Sequence, residues 1–536
     1  MSDSNGSADF DYDWLIVGSG FGGSVSALRL TEKGYRVGVL ECGRRFRDED
    51  FPKTAWNLRR YFWAPHLGMK GIFRMTPFSD IFVASGSGVG GGSLGYANTL
   101  YRARKRFYED PQWASLNEDW SATLKPHYDT AEHYLGVATV ERESDGDRLL
   151  KELGEHLGVE ETHRPTRVGV FLGDPGKTVP DPFFDGEGPE RRGCIHCGSC
   201  MLGCRHGAKN TLVKNYLYLA EKKGTVIEAE RMVVDIQPLG DGTGADGYAV
   251  TSVTSGSWFG RGRRVQKVRG VVLAAGALGT NRLLANCRHN GSLDRLSPQL
   301  GELVRTNSES ILAVTGPDDS LDFTRTVAIS SSIYPDPDTH IELVTYGPGA
   351  DAMSSLFMLL TGGGKSAPRP FLALTGALRH PLRFMKSLWP FKWSRRTMIV
   401  LVMQTLDNAI SFKPKKRLFG GVTLKTAQDP EKPIPTQMPI AYEAANWLAE
   451  RLGGIPQGVV LECLFSIPST AHLLGGAAIG ESPETGVVDA RQRVFGYENL
   501  MICDGSAVPA NPGVNPSLTI TALAEHAMTH VPPASS

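Results

Sequence analysis

The sequence predicts an α/β protein of more than one domain, and three observations predict it. Within residues 12–41 a short apolar run ends in a glycine-rich turn, continues at near-helical spacing and closes in a second apolar run. The middle of the chain alternates as strands do but lacks such turns. At 536 residues the chain also exceeds the size at which one hydrophobic core stops growing. Hydrophobic content of 41% and charged content of 21% are those of an ordinary globular protein. Basic and acidic residues balance at 57 each, and the basic ones are not organised on a known nucleic-acid module. No nucleic-acid partner is expected.

Tyr12-Asp-Trp-Leu-Ile-Val17 reads as the first strand, and Val25, Leu28 and Leu30 mark the helix after it. Tyr35 to Leu40 is the second strand, closed by Glu41, which completes a βαβ unit. Val271-Val-Leu-Ala-Ala-Gly276 reads as another strand running into a turn and helix. Residues 310–345 and 397–412 alternate in β fashion, and Leu518 to Met528 is an apolar helix. The middle is expected to be a substrate-binding domain inserted into a nucleotide-binding one. The acidic, polar N-terminus lacks a signal-peptide pattern, and no apolar run reaches the roughly 18 residues of a membrane span. A cytoplasmic enzyme is expected, with Cys42, Cys287, Cys463 and Cys503 as scattered buried thiols.

Gly18-x-Gly20-x-x-Gly23 sits where a strand meets a helix. Gly18 allows the turn, Gly20 admits a pyrophosphate to the backbone, and Gly23 lets helix pack on strand. The helix N-terminus offers free N–H groups to phosphate, and Glu41 is placed for a ribose diol. This fingerprint alone does not separate FAD from NAD. The separating feature is a second cluster, Gly86-Ser-Gly88-Val-Gly90-Gly91-Gly92-Ser93, where backbone is expected to pass close to a planar or anionic group. The alternative for that stretch is a flexible loop.

Cys194, Cys197, Cys200 and Cys204 stand in the spacing C-x2-C-x2-C-x3-C. That is a ferredoxin spacing, which predicts a [4Fe–4S] iron–sulfur cluster. A structural zinc site and unliganded thiols are the other two readings, although zinc sites usually separate their cysteine pairs by a longer loop. Farther on, residues 371–396 interleave Leu, Phe and Trp with Arg379, Arg383, Lys386 and Lys392. The segment reads either as a lid over a substrate cavity or as a peripheral contact with a membrane surface.

Taken together, the N-terminal fingerprint, Gly90 to Ser93, Ala274-Ala-Gly276-Ala-Leu-Gly279-Thr280, Asp504-Gly505-Ser506 and Gly513-Val-Asn515-Pro516 resemble the glucose–methanol–choline (GMC) oxidoreductase family. Within it the resemblance is to bacterial, especially mycobacterial, cholesterol oxidases, over nearly the whole chain. It implies a Rossmann-type FAD-binding domain with an inserted substrate-binding domain of β-sheet plus helices. The expected division is 1–125, 191–305 and 465–536 for the FAD domain, 306–464 for the substrate domain, and 126–190 as a segment on the substrate side. It implies FAD held by Gly18, Gly20, Gly23, Glu41, Gly90, Gly91, Gly92, Ser93, Gly276, Asp504, Gly505, Asn515 and Pro516. It also implies His472 and Asn515 as the catalytic pair at a substrate hydroxyl, with Glu342 as a proton shuttle for double-bond isomerisation. For His472 the plainer alternative is a satisfied buried histidine, and for Glu342 a surface carboxylate on a strand.

The expected activity is oxidation of a secondary alcohol on a bulky, apolar, sterol-like substrate by hydride transfer to flavin. Electrons are expected to leave through the cysteine cluster to an acceptor protein or quinone. Alternatives are a ketosteroid reductase or desaturase fed through the cluster, a cluster-free oxidase using O2, and an electron-transfer flavoprotein without alcohol turnover.

Overall fold

The computed structural model describes residues 10–318, 320–362, 368–417 and 421–534. Two seven-stranded sheets organise them. In the first, the order runs 226–228, 37–40, 12–17, 264–273, 248–254, 231–238, and strand Leu500–Ile502 pairs beside the end of 264–273. The strands from 226–228 to 264–273, with 500–502, are parallel, and 231–254 returns as an antiparallel meander. The parallel strands show no alternation of buried and exposed residues. Leu15, Ile16, Val37, Val39 and Val272 are all buried, as in a sheet covered on both faces. Helices Phe21–Glu32 and Ser517–Thr529 pack on it and on each other.

The second sheet is antiparallel, in the order 357–359, 455–459, 310–315, 397–404, 339–345, 329–336, 164–165. Its strands come mostly from the middle of the chain, as the alternation of 310–345 and 397–412 predicts. One face packs Leu312, Ile341, Leu343, Val400 and Val402 against helices Asp145–His156 and Pro439–Leu452. The other turns Ile329, Val344, Ile399, Leu401 and Val459 toward the principal cavity of the molecule. Because side chains alternate along a strand, His340, Glu342 and Val344 share that second face. Both faces of 339–345 are therefore buried, and Glu342 is 0% exposed. The surface-carboxylate alternative is thereby overturned.

Helices Arg369–Arg379 and Pro381–Ser387 form a hairpin at the surface. On it and just past its end, Phe371, Leu374, Leu378, Leu382, Met385 and Trp389 are between 57% and 74% exposed. Among the described residues no helix is long and apolar enough to cross a membrane.

Candidate active site

The principal cavity, about 870 Å³, lies between the first sheet's strand ends and the inner face of the second sheet. Three helices open onto it: Phe21–Glu32 after Gly20, Gly276–Asn290, and Ser517–Thr529 after Pro516. In none does the residue before the helix cap it with its own side chain, although Asp504 accepts from Gly276 N–H. The first-turn N–H groups of the first and third helices and three positive dipole ends thus converge on one space, an arrangement suited to an anionic dinucleotide.

Gly22 and Gly23 are required by close contact. A Cβ at Gly22 would stand 1.7 Å from the Cys503 carbonyl oxygen, and one at Gly23 2.2 Å from that of Gly18. Gly20 has nothing within 4 Å of such a Cβ, so its backbone faces open space on the cavity side. Of the residues expected at the cofactor, Gly18, Gly20, Glu41, Gly91, Gly92, Gly276, Asp504, Gly505, Asn515 and Pro516 line the cavity. Gly23, Gly90 and Ser93 do not. Gly23 packs helix on strand, and the Ser93 hydroxyl donates to Gly90 O at 2.6 Å and accepts from Leu212 N–H at 3.1 Å, bracing the glycine loop from behind.

Two carboxylates frame the cofactor side. Glu41 accepts from the Ser19 hydroxyl at 2.7 Å and from Gly43 N–H at 2.8 Å. Asp504 accepts from Gly276 N–H at 2.8 Å and from the Thr280 hydroxyl at 2.5 Å. Burial raises the Asp504 pKa, and hydrogen bonds from Ser506, Thr280 and Gly276 act against that rise.

At the other end stand the expected catalytic groups. His472 lines the cavity, and its Nδ1 contacts the Glu309 carboxylate, whose second oxygen accepts from Ala471 N–H at 2.8 Å. Glu309 is fully buried at its side chain. With Nδ1 so held, Nε2 is the ring nitrogen left for a substrate. Burial pushes the imidazole down to about 4. Asn515 donates from Nδ2 to Glu342 at 3.3 Å, while its Oδ1 has no partner. Glu342 does not itself line the cavity but stands behind Asn515. Burial raises its pKa to about 8, with the Asn515 hydrogen bond opposing. His340 is 3.9 Å from Glu342 Oε1, stacks on Tyr334 and meets Tyr101 edge-on. Burial pushes it down to about 3, so it is neutral there.

Glu309 and His340 were not legible in the sequence. Glu309 reaches His472 because Asn307 and Ser308 both adopt left-handed backbone, φ 57° and 46°. The same turn fixes the partner loop: Asn307 accepts from Gly513 N–H at 3.1 Å and donates to Val514 O at 3.0 Å, immediately before Asn515. One strained turn sets both candidate groups.

The four cysteines are free thiols that line a second cavity. Among the described residues, however, no three His, Cys, Asp or Glu side chains are gathered as ligands of one metal ion. The alternative of a structural zinc site is not supported, and the expected iron–sulfur cluster is likewise not shown by any such ligand group.

The fold and the cavity define a dinucleotide-dependent α/β oxidoreductase. Residues 189–289 and 460–524 match GMC oxidoreductase models. Over 530 residues the chain is 50% identical to a cholesterol oxidase of Mycobacterium tuberculosis, covering 96% of this chain and 90% of that enzyme. It is 46% identical to a cholesterol oxidase of Acinetobacter baumannii, over 98% of this chain and 95% of that one. Pyridoxine 4-oxidase from Mesorbium loti shares the fold with a TM-score of 0.60 at 16% identity, over 97% and 99% of the two chains. The chain belongs to the GMC oxidoreductase family and is a GMC-type flavin-dependent enzyme.

Proposed function

We propose that the protein oxidises the 3-hydroxyl of a sterol or similar bulky secondary alcohol to the ketone. The observation that carries this reading is the meeting of His472 and Asn515 at the cofactor cavity, with the buried Glu342 hydrogen-bonded behind Asn515. The kinship with two cholesterol oxidases supports the substrate class.

FAD, bound along Gly18, Gly20, Glu41, Gly91, Gly276 and Asp504, supplies the hydride acceptor. The chain's own residues do the rest. Neutral His472 takes the hydroxyl proton at Nε2, while Glu309 at Nδ1 fixes the tautomer and stabilises the charge that forms. Asn515, steadied by Glu342, orients the substrate oxygen. Apolar side chains of the second sheet exclude water from the reacting carbon. Glu342, set behind Asn515, is the proposed shuttle for the proton lost from one carbon and regained at another in double-bond isomerisation. Dioxygen and a protein or quinone carrier are the two acceptor classes for the electrons.

The exposed hairpin 369–387 supports contact with a membrane surface, where a sterol would be collected. The holoenzyme should turn over a detergent-dispersed 3-hydroxysteroid with an artificial acceptor. His472→Ala should lower kcat by about 10² or more while FAD stays bound. A wild-type holoenzyme inert toward every 3-hydroxysteroid overturns the substrate class, and full activity in His472→Ala overturns the proton role.

A further inference from the structure

Four thiols stand together that alcohol oxidation by flavin leaves unused. Cys194, Cys197, Cys200 and Cys204 all line one cavity of about 320 Å³, with Pro52, Lys209 and Thr326 among its other walls. The backbone is bent to bring this about. Within this run His196, Gly198 and Gly203 all take positive φ, at 53°, 66° and 89°. A Cβ on Gly203 would stand 2.1 Å from the Phe51 ring, and one on Gly198 2.8 Å from Thr324 O. Gly198 N–H closes the turn onto Thr326 O at 2.7 Å. Of the three positive-φ residues only His196 is a non-glycine held in the left-handed region, the kind of backbone strain that concentrates at functional sites.

We propose that this chamber is the site of a [4Fe–4S] cluster ligated by the four cysteines. Zinc would draw four thiolates onto one atom at about 2.3 Å. Among the described residues no three potential ligands are gathered about a single metal ion. A cluster gives each cysteine its own iron and spreads the four sulfurs round a cube. Cysteines spaced two or three residues apart on the walls of one chamber meet that demand.

The chamber adjoins the flavin site. The short helix Ser199–Leu202 lies between them: Cys200 lines the chamber and Met201 the principal cavity. Buried Lys209 ties the two loops, donating from Nζ to Leu94 O at 3.0 Å, Tyr96 O at 2.8 Å and Cys200 O at 3.0 Å. The relay role rests on the alcohol-oxidation reading, whereas the cluster itself does not. Each alcohol oxidised gives two electrons to the flavin as hydride and one proton to solvent. Held by Cys194, Cys197, Cys200 and Cys204, a cluster would supply one-electron transfer from the reduced flavin to two equivalents of a one-electron carrier, with the flavin's proton released.

The full-length protein, purified anaerobically and reconstituted with iron and sulfide, should hold about four irons and four sulfides per chain. Its broad visible absorption should bleach with dithionite. Each of Cys194→Ser, Cys197→Ser, Cys200→Ser and Cys204→Ser should lose at least half the iron while keeping wild-type FAD content, which shows the fold intact. His472→Ala should keep its full complement of iron. Protein that stays iron-free, binds one zinc instead, or keeps its iron in all four serine variants overturns the proposal. Reduction of the cluster by dithionite but not by sterol leaves the cluster assignment standing and removes its relay role.

Discussion

Glu309 is where residue-scale chemistry and backbone geometry meet. It touches no substrate, so its effect passes through His472, and removing a partner of this kind typically costs about 10–100-fold. Glu309→Ala should lower kcat by about that factor with KM little changed, and Glu309→Gln, which keeps an acceptor for Nδ1–H, should restore part of it. Steady-state kinetics with retained FAD check this, and an equal loss in both variants would point to a merely structural role. Glu342 carries the pH dependence. Its carboxyl is held neutral until about pH 8, so double-bond migration should rise as pH increases through that value. Product analysis by chromatography would detect it, and Glu342→Gln should yield unisomerised ketone at every pH. The stability sign is fixed by the same shift. The folded pKa lies above the unfolded value of ~4.3, so this group's stabilisation is complete below the latter and lost as pH rises through about 8. His472 and Asn515 are legible in the sequence because they stand in motifs. Glu309 is not, since Thr306-Asn-Ser-Glu309 has no pattern and acquires its meaning only from two left-handed residues and a histidine 163 residues away.

At the scale of elements, the fingerprint helix is held by close approach of backbones. Gly22 meets the carbonyl of Cys503, at the end of the strand that leads to Asp504. Gly22→Ala should therefore push the helix from the sheet, and overpacking of this kind costs about 1–3 kcal/mol or more. The expected result is a lower melting temperature and a loss of most bound FAD from the purified protein. Wild-type FAD content in that variant would mean that the helix end is not fixed by this contact. The βαβ order was readable because apolar runs, glycine turn and acid follow one another within a short stretch of chain. That Gly23, Gly90 and Ser93 stand behind the cavity wall was not readable, since spacing records which residues form a turn but not which side of it faces the ligand.

For the whole molecule, the exposed apolar hairpin is the feature a free-standing globular protein least accounts for, because contiguous apolar surface of this kind marks an interaction site. Arg379, Arg383 and Lys386 lie on the same hairpin, which favours an anionic lipid surface. The protein should sediment with vesicles containing phosphatidylglycerol and less with phosphatidylcholine alone. The double substitution Leu378→Asp and Leu382→Asp should abolish sedimentation and leave turnover of detergent-dispersed substrate within about twofold, the range expected of surface changes away from the site. Unchanged sedimentation would reassign the exposed leucines to a protein partner. Interleaved apolar and basic residues announced amphipathic helices, but could not choose between a lid and a docking surface, because that depends on what the rest of the chain covers.

Local pattern and motif order were enough for the α/β class, the dinucleotide fingerprint, the two catalytic candidates and the four-cysteine run. Folding supplied what no local pattern holds. It buries Glu342 with its carboxyl against Asn515, sets Glu309 behind His472, and gathers the cysteines in a chamber one short helix away from the flavin cavity. The reason is physical. Burial and hydrogen-bond partners set the charge state of a side chain, and both come from residues far away along the chain.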